Sequence, residues 1–167
     1  MDRARSILSV ILVGLGAAQV LHAQEPGSDA SENEPAYYRT SQPGFRTTGV
    51  ARFDFWFDIP VQWRAIDRSA NGDGYFIATG QPGTDLRVFG TFVPSDRSSQ
   101  LIEPFTFRDG AIGERFSRPG EIVFQRTEAD RSFVFQAVAP QSWLDAHTEQ
   151  IAAIAQSLRH GVHSKEP

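Results

Sequence analysis

The chain has 167 residues, with 16 lysines and arginines against 20 acidic residues, a formal net charge of −4 and no cysteine. The lack of cysteine excludes disulfides and a bacterial lipoprotein anchor. No long run of Lys or Arg is present, which disfavours nucleic acid and anionic membranes as partners, since both require a basic surface.

The first 23 residues predict a cleavable signal peptide. Arg3 and Arg5 give a positive start, and an apolar run of roughly 12 residues follows and ends near Ala18. That run is shorter than the about 20 residues that a membrane-spanning helix needs, so an uncleaved anchor is disfavoured. Cleavage after Ala23 is the first choice, and cleavage after Ala18 is the alternative. We therefore expect an exported protein, periplasmic or secreted, from a bacterium and without a stable membrane span after processing.

Residues 24–48 predict a disordered linker. The segment is polar, contains three prolines and shows neither helical nor strand periodicity. It therefore has little apolar surface with which to offset the entropy of ordering. Its pair Tyr37-Tyr38 is either a recognition element or part of a tail that docks on the domain. We expect one folded domain over residues 49–161 and a disordered tail over residues 162–167.

The clearest strand pattern is Arg52–Ile59 (RFDFWFDI). Its three phenylalanines and its isoleucine alternate with Arg52, Asp54, Trp56 and Asp58, so period two places them on one buried face. Trp56 lies on the opposite face between Asp54 and Asp58. It either lines a ligand surface or is covered by the linker or a loop.

The later elements predict further strands and one helix. A turn at Ser69–Gly74 separates the first two later strands, and Gly90 indicates a bulge or a close approach of the backbone to another group. The predicted strands are Arg64–Ile66, Tyr75–Thr79, Asp85–Val93, Phe105–Arg108, Ala111–Phe116, Glu121–Thr127 and Arg131–Val138.

Ser142 followed by Asp145 indicates the start of a single amphipathic helix that continues to Leu158, and Gly161 can terminate it. Strands that precede a C-terminal helix predict the α+β class, with a mainly antiparallel β-sheet packed by a C-terminal α-helix.

Three landmarks occur together in this order. An aromatic strand runs into Ile59-Pro60-Val61-Gln62-Trp63; Asn71-Gly72-Asp73-Gly74 precedes Leu86-Arg87-Val88-Phe89-Gly90; and a closing strand leads into a helix that ends near Ser157-Leu158. This arrangement resembles the α/β sandwich of the extrinsic photosystem PsbP proteins and their exported bacterial look-alikes. The resemblance implies a binding or assembly role more than catalysis, and it offers no catalytic residues to carry over.

The candidate ligand-binding residues are two tryptophans and the turn near them. They are Trp56, Trp63, Asn71, Asp73 and Tyr75. We expect no catalytic residue, no metal ligand and no cofactor. The run from Asp67 to Gly72 matches the first half of a calcium-binding loop, but position 12 of that loop is Ala78 where a bidentate acid is required.

Three functions remain open from the sequence. The leading hypothesis is a non-enzymatic envelope protein that binds an unknown envelope partner or a small ligand through its sheet. The first alternative is a hydrolase of cell-envelope polymers that uses paired carboxylates, with Asp54, Asp58 and Asp73 as candidates. The second alternative is a purely structural envelope protein.

Overall fold

The structure is a computed structural model that describes residues 35–92 and 102–161. The predicted signal peptide, the first part of the predicted linker (residues 24–34) and the predicted tail all lie outside the described residues.

The described residues form two antiparallel sheets and two consecutive helices. The four-stranded sheet has the order β1-β2-β3-β11, and the seven-stranded sheet has the order β4-β5-β6-β10-β9-β8-β7. The strands are β1 (Tyr38–Arg39), β2 (Phe45–Val50), β3 (Phe55–Pro60), β4 (Arg64–Ile66), β5 (Gly74–Ala78), β6 (Asp85–Thr91), β7 (Ile102–Thr106), β8 (Ile112–Arg118), β9 (Glu121–Glu128), β10 (Arg131–Val138) and β11 (Arg159–His160), and the helices are α1 (Gln141–Ala146) and α2 (Thr148–Gln156). Every predicted strand overlaps an observed one, and the α+β class is confirmed.

The core lies between the two sheets and is rich in phenylalanine. The apolar face predicted for Arg52–Ile59 is buried along its whole length, with Phe55, Phe57 and Ile59 at 0 % exposure. Phe53 is also buried, although it belongs to a short 3-10 turn (Ala51–Phe53) that precedes β3. Phe55 stacks on Phe133 of the opposite sheet, with 4.8 Å between ring centroids. This contact joins the start of β3 to β10, the central strand of the seven-stranded sheet.

Gly90 illustrates how closely the core packs. A Cβ atom at this position would collide with the ring of Phe53. The close approach that was predicted for this glycine is therefore confirmed, and the group that approaches is an aromatic ring of the core.

The prediction of a disordered linker is wrong for its second part. Residues 38–39 and 45–48, which we expected to be disordered, belong to β1 and β2. The hydroxyl of Tyr37 donates to the carbonyl of Ala65 at 3.2 Å and accepts from the amide of Ala65 at 2.8 Å, so it occupies the outer edge of β4. Thr47 and Thr48 are buried, and both hydroxyls are hydrogen-bonded. The described part of the segment, residues 35–48, is held by long-range polar contacts that its composition does not reveal.

The prediction of a single C-terminal helix is also wrong. We expected one helix with Ser142 as its cap, but the N-cap of α1 is Pro140, which has no side-chain cap. The helix is interrupted at His147, whose φ of −115° lies outside the helical region, and α2 begins at the next residue. The expected last turn is instead β11, which pairs with β3. Strand pairing of Arg159 and His160 therefore replaces the predicted helical end.

Asp58, in the middle of β3, is a fully buried carboxylate with five polar contacts. Oδ2 accepts from Arg108 at 2.9 Å, and Oδ1 accepts from Arg159 at 3.0 Å and from the hydroxyl of Thr47 at 2.6 Å. The hydroxyl of Thr40 donates to Oδ2 at 3.2 Å, and the amide of Asp58 donates to Oγ of Ser157 at 2.7 Å. Because a buried charge is tolerated only when it is paired and hydrogen-bonded, these contacts act as one unit.

Arg126 forms a second charged contact near the C-terminal end of the fold. Its guanidinium is 8 % exposed and donates to Oδ2 of Asp109 at 2.6 Å and to the carbonyl of Leu158 at 3.0 Å. Burial acts to raise the pKa of Asp109, but the hydrogen bonds from Arg126 and from the amide of Ala111 outweigh it, so this pKa is lowered. Arg126 of β9 thus holds both the turn before β8, through Asp109, and the segment after α2, through Leu158.

The charge of Asp58 can be tested with Asp58→Asn. The substitution keeps the shape of the side chain but leaves two guanidiniums without a counter-ion. Because Arg108 and Arg159 are 45 % and 31 % exposed, water can hydrate them in part. We therefore expect a loss of about 3 kcal/mol in the free energy of unfolding, at the lower end of the range for a broken buried pair. The measurement is urea denaturation followed by tryptophan fluorescence.

The matched control for this experiment is Asp85→Asn. The carboxylate of Asp85 pairs with Arg87 at the surface and is 38 % exposed, so its loss should change stability by less than about 1 kcal/mol. Equal losses for the two variants would show that Asp58 has no special role in the fold.

Candidate functional site

An open groove of about 620 Å³ lies on the seven-stranded sheet where β5, β6 and β10 are adjacent. Leu86 and Val88 of β6 point to the core and are fully buried. Because successive side chains of a strand alternate between faces, Arg87 and Phe89 project from the opposite face. The lining residues are Arg68, Ser69, Asp73, Gly74, Tyr75, Phe76, Arg87, Val88, Phe89, Gly90, Thr91 and Gln136.

The floor of the groove follows from strand register. Phe76 pairs with Ile66 on one side and with Arg87 on the other, and Arg87 pairs in turn with Gln136. These four side chains therefore form one row across β4, β5, β6 and β10 on the outer face. Gly74 pairs with Phe89 and contributes no side chain, and a Cβ atom there would collide with the backbone of β6. The missing side chain therefore lets β6 approach β5 closely at this point.

Phe76 is a half-exposed aromatic ring between two guanidiniums. The Cζ atoms of Arg68 and Arg87 lie 4.8 and 5.4 Å from the ring centroid. Asp85 accepts from Nε and from a terminal nitrogen of Arg87 at 2.8 and 2.6 Å, and the hydrogen bond to Asp85 raises the pKa of Arg87. Asp85 thus orients the guanidinium of Arg87 beside the ring.

Arg64 and Arg68 add charge that is not neutralised nearby. Arg64 pairs with Ala78 in register and so shares the outer face with Phe76. Among the described residues, neither Arg64 nor Arg68 has a carboxylate partner. This corner of the sheet therefore presents an aromatic ring beside guanidiniums that are available to a ligand.

The turn that precedes β5 satisfies its own polar groups. Oδ1 of Asp67 accepts from the amide and the hydroxyl of Ser69 at 2.8 and 2.9 Å, and the amide of Asp73 donates to Oγ of Ser69 at 3.0 Å. The carboxylate of Asp73 is ion-paired with Arg52. Ala78, which occupies position 12 of the calcium-loop pattern, is the last residue of β5 and does not belong to this turn. Within residues 35–92 and 102–161, no cluster of three or more metal-ligating side chains occurs.

Tyr75 connects the groove to the four-stranded sheet. Its hydroxyl donates to the carbonyl of Gly49 at 3.2 Å, and its ring centroid lies 6.1 Å from that of Phe57. Burial, together with the negative charge of Asp67, raises the pKa of Tyr75 above its ordinary value. The neutral phenol is thus the form that the folded chain favours.

The structure separates the five candidate residues. Asp73 and Tyr75 line the groove, and Asn71 lies in the exposed turn, where its carbonyl accepts from Arg52 at 3.3 Å. Trp63 is buried at 4 % exposure and stacks on Trp143 with 5.9 Å between ring centroids. The ring of Trp56 is covered by Tyr38 at 5.6 Å and lies over Gly49. Neither tryptophan belongs to the groove, and the linker residue Tyr38 covers Trp56, as one of the two interpretations of that residue expected.

The sequence did not reveal Arg68, Phe76, Arg87 or Gln136 as site residues. The alternation of Tyr75-Phe76-Ile77 and Leu86-Arg87-Val88 indicates that Phe76 and Arg87 each face outward. Their position beside each other depends on the pairing of β5 with β6, which a single sequence does not give.

The candidate carboxylates of a hydrolase have separate environments. Asp54 precedes β3 in a left-handed conformation (φ 51°), and its Oδ2 lies 3.8 Å from Nε2 of His160. Asp58 is enclosed by its arginines and threonines, and only Asp73 lines the groove. The proposed strand-face pairing of Asp54 with Asp58 is therefore wrong, because one is outside the strand and the other is buried.

These features define an α+β sandwich with a ligand-sized groove on its exposed sheet face. The solution structure of cyanobacterial PsbP (CyanoP) from Synechocystis sp. PCC 6803 is similar to this chain, with a TM-score of 0.52 and 11 % sequence identity over 72 % of this chain and 95 % of that chain. The likeness confirms the PsbP-like fold that the three landmarks predicted. No family model and no curated protein matches the sequence. Among the described residues, no helix has the length and hydropathy to cross a membrane.

The raised pKa of Tyr75 predicts a loss of stability at alkaline pH. The ordinary value of a tyrosine is 10.0, and the folded value is higher. The contribution of Tyr75 is therefore complete below pH 10 and declines as the pH rises through the folded pKa, because unfolding allows the phenol to ionise. Because Tyr75→Phe removes a hydrogen bond, we expect its free energy of unfolding to be lower by about 1 kcal/mol at neutral pH. Above pH 10, the free energy of unfolding of this variant should decline less steeply than that of the unchanged protein.

The measurement is urea denaturation of both proteins at several pH values between neutral and strongly alkaline. Tyr38→Phe serves as the control, because it leaves Tyr75 in place and should keep the alkaline decline. An identical decline in Tyr75→Phe and in the unchanged protein would contradict the assignment to Tyr75.

Proposed function

We propose that this chain is an exported, non-enzymatic binding protein of the bacterial envelope and that the groove beside Phe76 holds its ligand or partner. The observation that carries the proposal is the half-exposed ring of Phe76 between Arg68 and Arg87 on the outer face of the sheet. An aromatic surface with a few oriented polar groups is a common design for recognition.

The environment of each groove residue supports recognition. Phe76 supplies apolar contact, Arg68 and Arg87 supply charge, and Gln136 is held in place by a hydrogen bond of 2.6 Å from its Nε2 to Glu121. Asp73, the carboxylate of the groove, is ion-paired with Arg52. A paired carboxylate that orients a turn suits a binding surface better than general acid–base chemistry.

The fold supports the same role. The resemblance to PsbP-like proteins implies binding or assembly, and the two-sheet framework holds the floor of the groove on regular strands. A site built on strands is held more rigidly than one built on loops, which favours recognition without rearrangement. The proposed export rests on the signal-peptide pattern of residues 1–23. The proposed folded domain runs from the N-terminal strands to residue 161.

The proposal can be tested by photo-crosslinking in cells that export the full chain. The photoreactive amino acid p-benzoylphenylalanine replaces Phe76 in one strain and Ile112 in another. Ile112 is an apolar strand residue that is 72 % exposed and lies outside the groove, so it is a matched control. We expect discrete crosslinked products from position 76 that are absent from position 112, and their loss when Arg68→Glu is added.

Two results would contradict the proposal. One is an equal crosslinking pattern from the two positions, or no product from position 76. The other is release of soluble fragments from purified envelope polymers by the chain, with loss of that activity in Asp73→Asn, which would indicate a hydrolase.

A further inference from the structure

We infer that the groove takes an acidic peptide segment of a partner protein, with one carboxylate at Arg68, an apolar side chain on Phe76 and a second carboxylate at Arg64, which lies on the same face outside the groove. This inference rests on the proposed function and names the chemistry of its ligand. Its basis is the distribution of charge on the outer face of β4, β5 and β6.

The charges around Phe76 are mainly positive, although the whole chain has a net charge of −4. Arg64, Arg68 and Arg87 lie on this corner, where among the described residues Asp85 pairs with Arg87 and Asp67 adds a carboxylate close enough to act on Tyr75. At the far end of the groove, the charge of Asp73 is offset by Arg52. With Asp85 and Asp67 set against three arginines, one net positive charge remains at this corner, where Arg64 and Arg68 have no ion-pair partner among the described residues.

The arrangement of these arginines favours carboxylates over other groups. Guanidinium groups bind carboxylates through two parallel hydrogen bonds, and such pairs gain specificity from their planar geometry. Arg68 lies 4.8 Å from the centroid of Phe76, so a carboxylate that binds it places the next apolar group of the ligand at the ring. A peptide that alternates acidic and apolar residues presents these two groups together.

The location on the sheet face favours side-chain recognition over strand addition. The hydroxyl of Tyr37 occupies the amide and carbonyl of Ala65 at the outer edge of β4. Arg46 donates to the carbonyl of Trp63 at 2.7 Å next to it. A partner strand therefore does not find free backbone groups there, and binding must use the side chains of the outer face.

The size of the positive patch favours a peptide over nucleic acid. Nucleic-acid binding depends on neutralising many phosphates and needs an extended basic surface. Here the basic residues without an ion pair among the described residues are Arg68, which lines a groove of about 620 Å³, and Arg64, which lies on the same sheet face. That volume lies within the range of roughly 300–1,000 Å³ that is typical of sites for small ligands, and it suits a few peptide residues.

The test is fluorescence anisotropy with the purified processed chain and two labelled hexapeptides. The acidic probe alternates pairs of glutamate with phenylalanine, and the neutral probe replaces each glutamate by glutamine. We expect the acidic probe to bind at least tenfold more tightly than the neutral one and its affinity to fall as NaCl is raised. Arg64→Gln and Arg68→Gln should each weaken the acidic probe by about threefold to fivefold, as expected for exposed charge pairs.

Arg39→Gln is the matched control, because Arg39 is an exposed arginine of β1 in the other sheet. It removes the same charge and should change the affinity by less than twofold. Phe76→Ala should weaken both probes. A single-stranded oligonucleotide of equal charge should bind more weakly than the acidic peptide, and equal binding would overturn the inference in favour of general attraction of polyanions.

Failure of the inference is distinguishable from failure of the proposed function. Equal binding of the two peptides, unaffected by Arg64→Gln and Arg68→Gln but weakened by Phe76→Ala, overturns the acidic ligand and leaves the groove as a binding site. No binding of the acidic probe also overturns the inference, while crosslinking from position 76 decides the function separately. Binding that Phe76→Ala leaves unchanged overturns both.

Discussion

The buried charge of Asp58 is the constraint on which the arrangement of the chain depends. A carboxylate without access to water must receive its full set of donors, and here those donors come from distant parts of the sequence. Thr40 and Thr47 come from the N-terminal segment, Arg108 comes from the turn after β7, and Arg159, 101 residues beyond Asp58, comes from β11. Because the charge is satisfied only when these segments are all in place, their order is coupled.

This coupling determines which surface remains available for binding. The same N-terminal segment that reaches Asp58 also brings Tyr37 to the edge of β4 and Tyr38 over Trp56. Tyr37 thereby protects the edge of β4, as natural proteins commonly protect strand edges. Tyr38 packs against the ring of Trp56 and reduces its exposure. Within residues 35–92 and 102–161, no other segment covers the outer face around Phe76, and the groove lies there.

The sequence predicted the elements whose cause is local and missed those whose cause is distant. Period two in Arg52–Ile59 was sufficient to predict the buried face of β3. β2 was missed because Thr47 and Thr48 are polar residues typical of a linker. Their burial depends on hydrogen bonds from their hydroxyls to Asp58 and to the carbonyl of Ala36, which the sequence does not reveal. The site followed the same rule, since Asp73 and Tyr75 adjoin a recognisable turn, whereas Phe76 and Arg87 become neighbours only through strand register.

The two predicted tryptophans show why residue type alone was a poor guide to the groove. A large aromatic side chain gains most from burial, and Trp63 is accordingly part of the core. Phe76 forgoes part of that gain, and Arg64 and Arg68 beside it have no carboxylate partner among the described residues. Exposed arginines contribute little to stability, and a half-exposed ring contributes less than a buried one. Such a combination on regular strands adds little to the stability of the fold, and this is the physical argument that supports the proposed role in recognition.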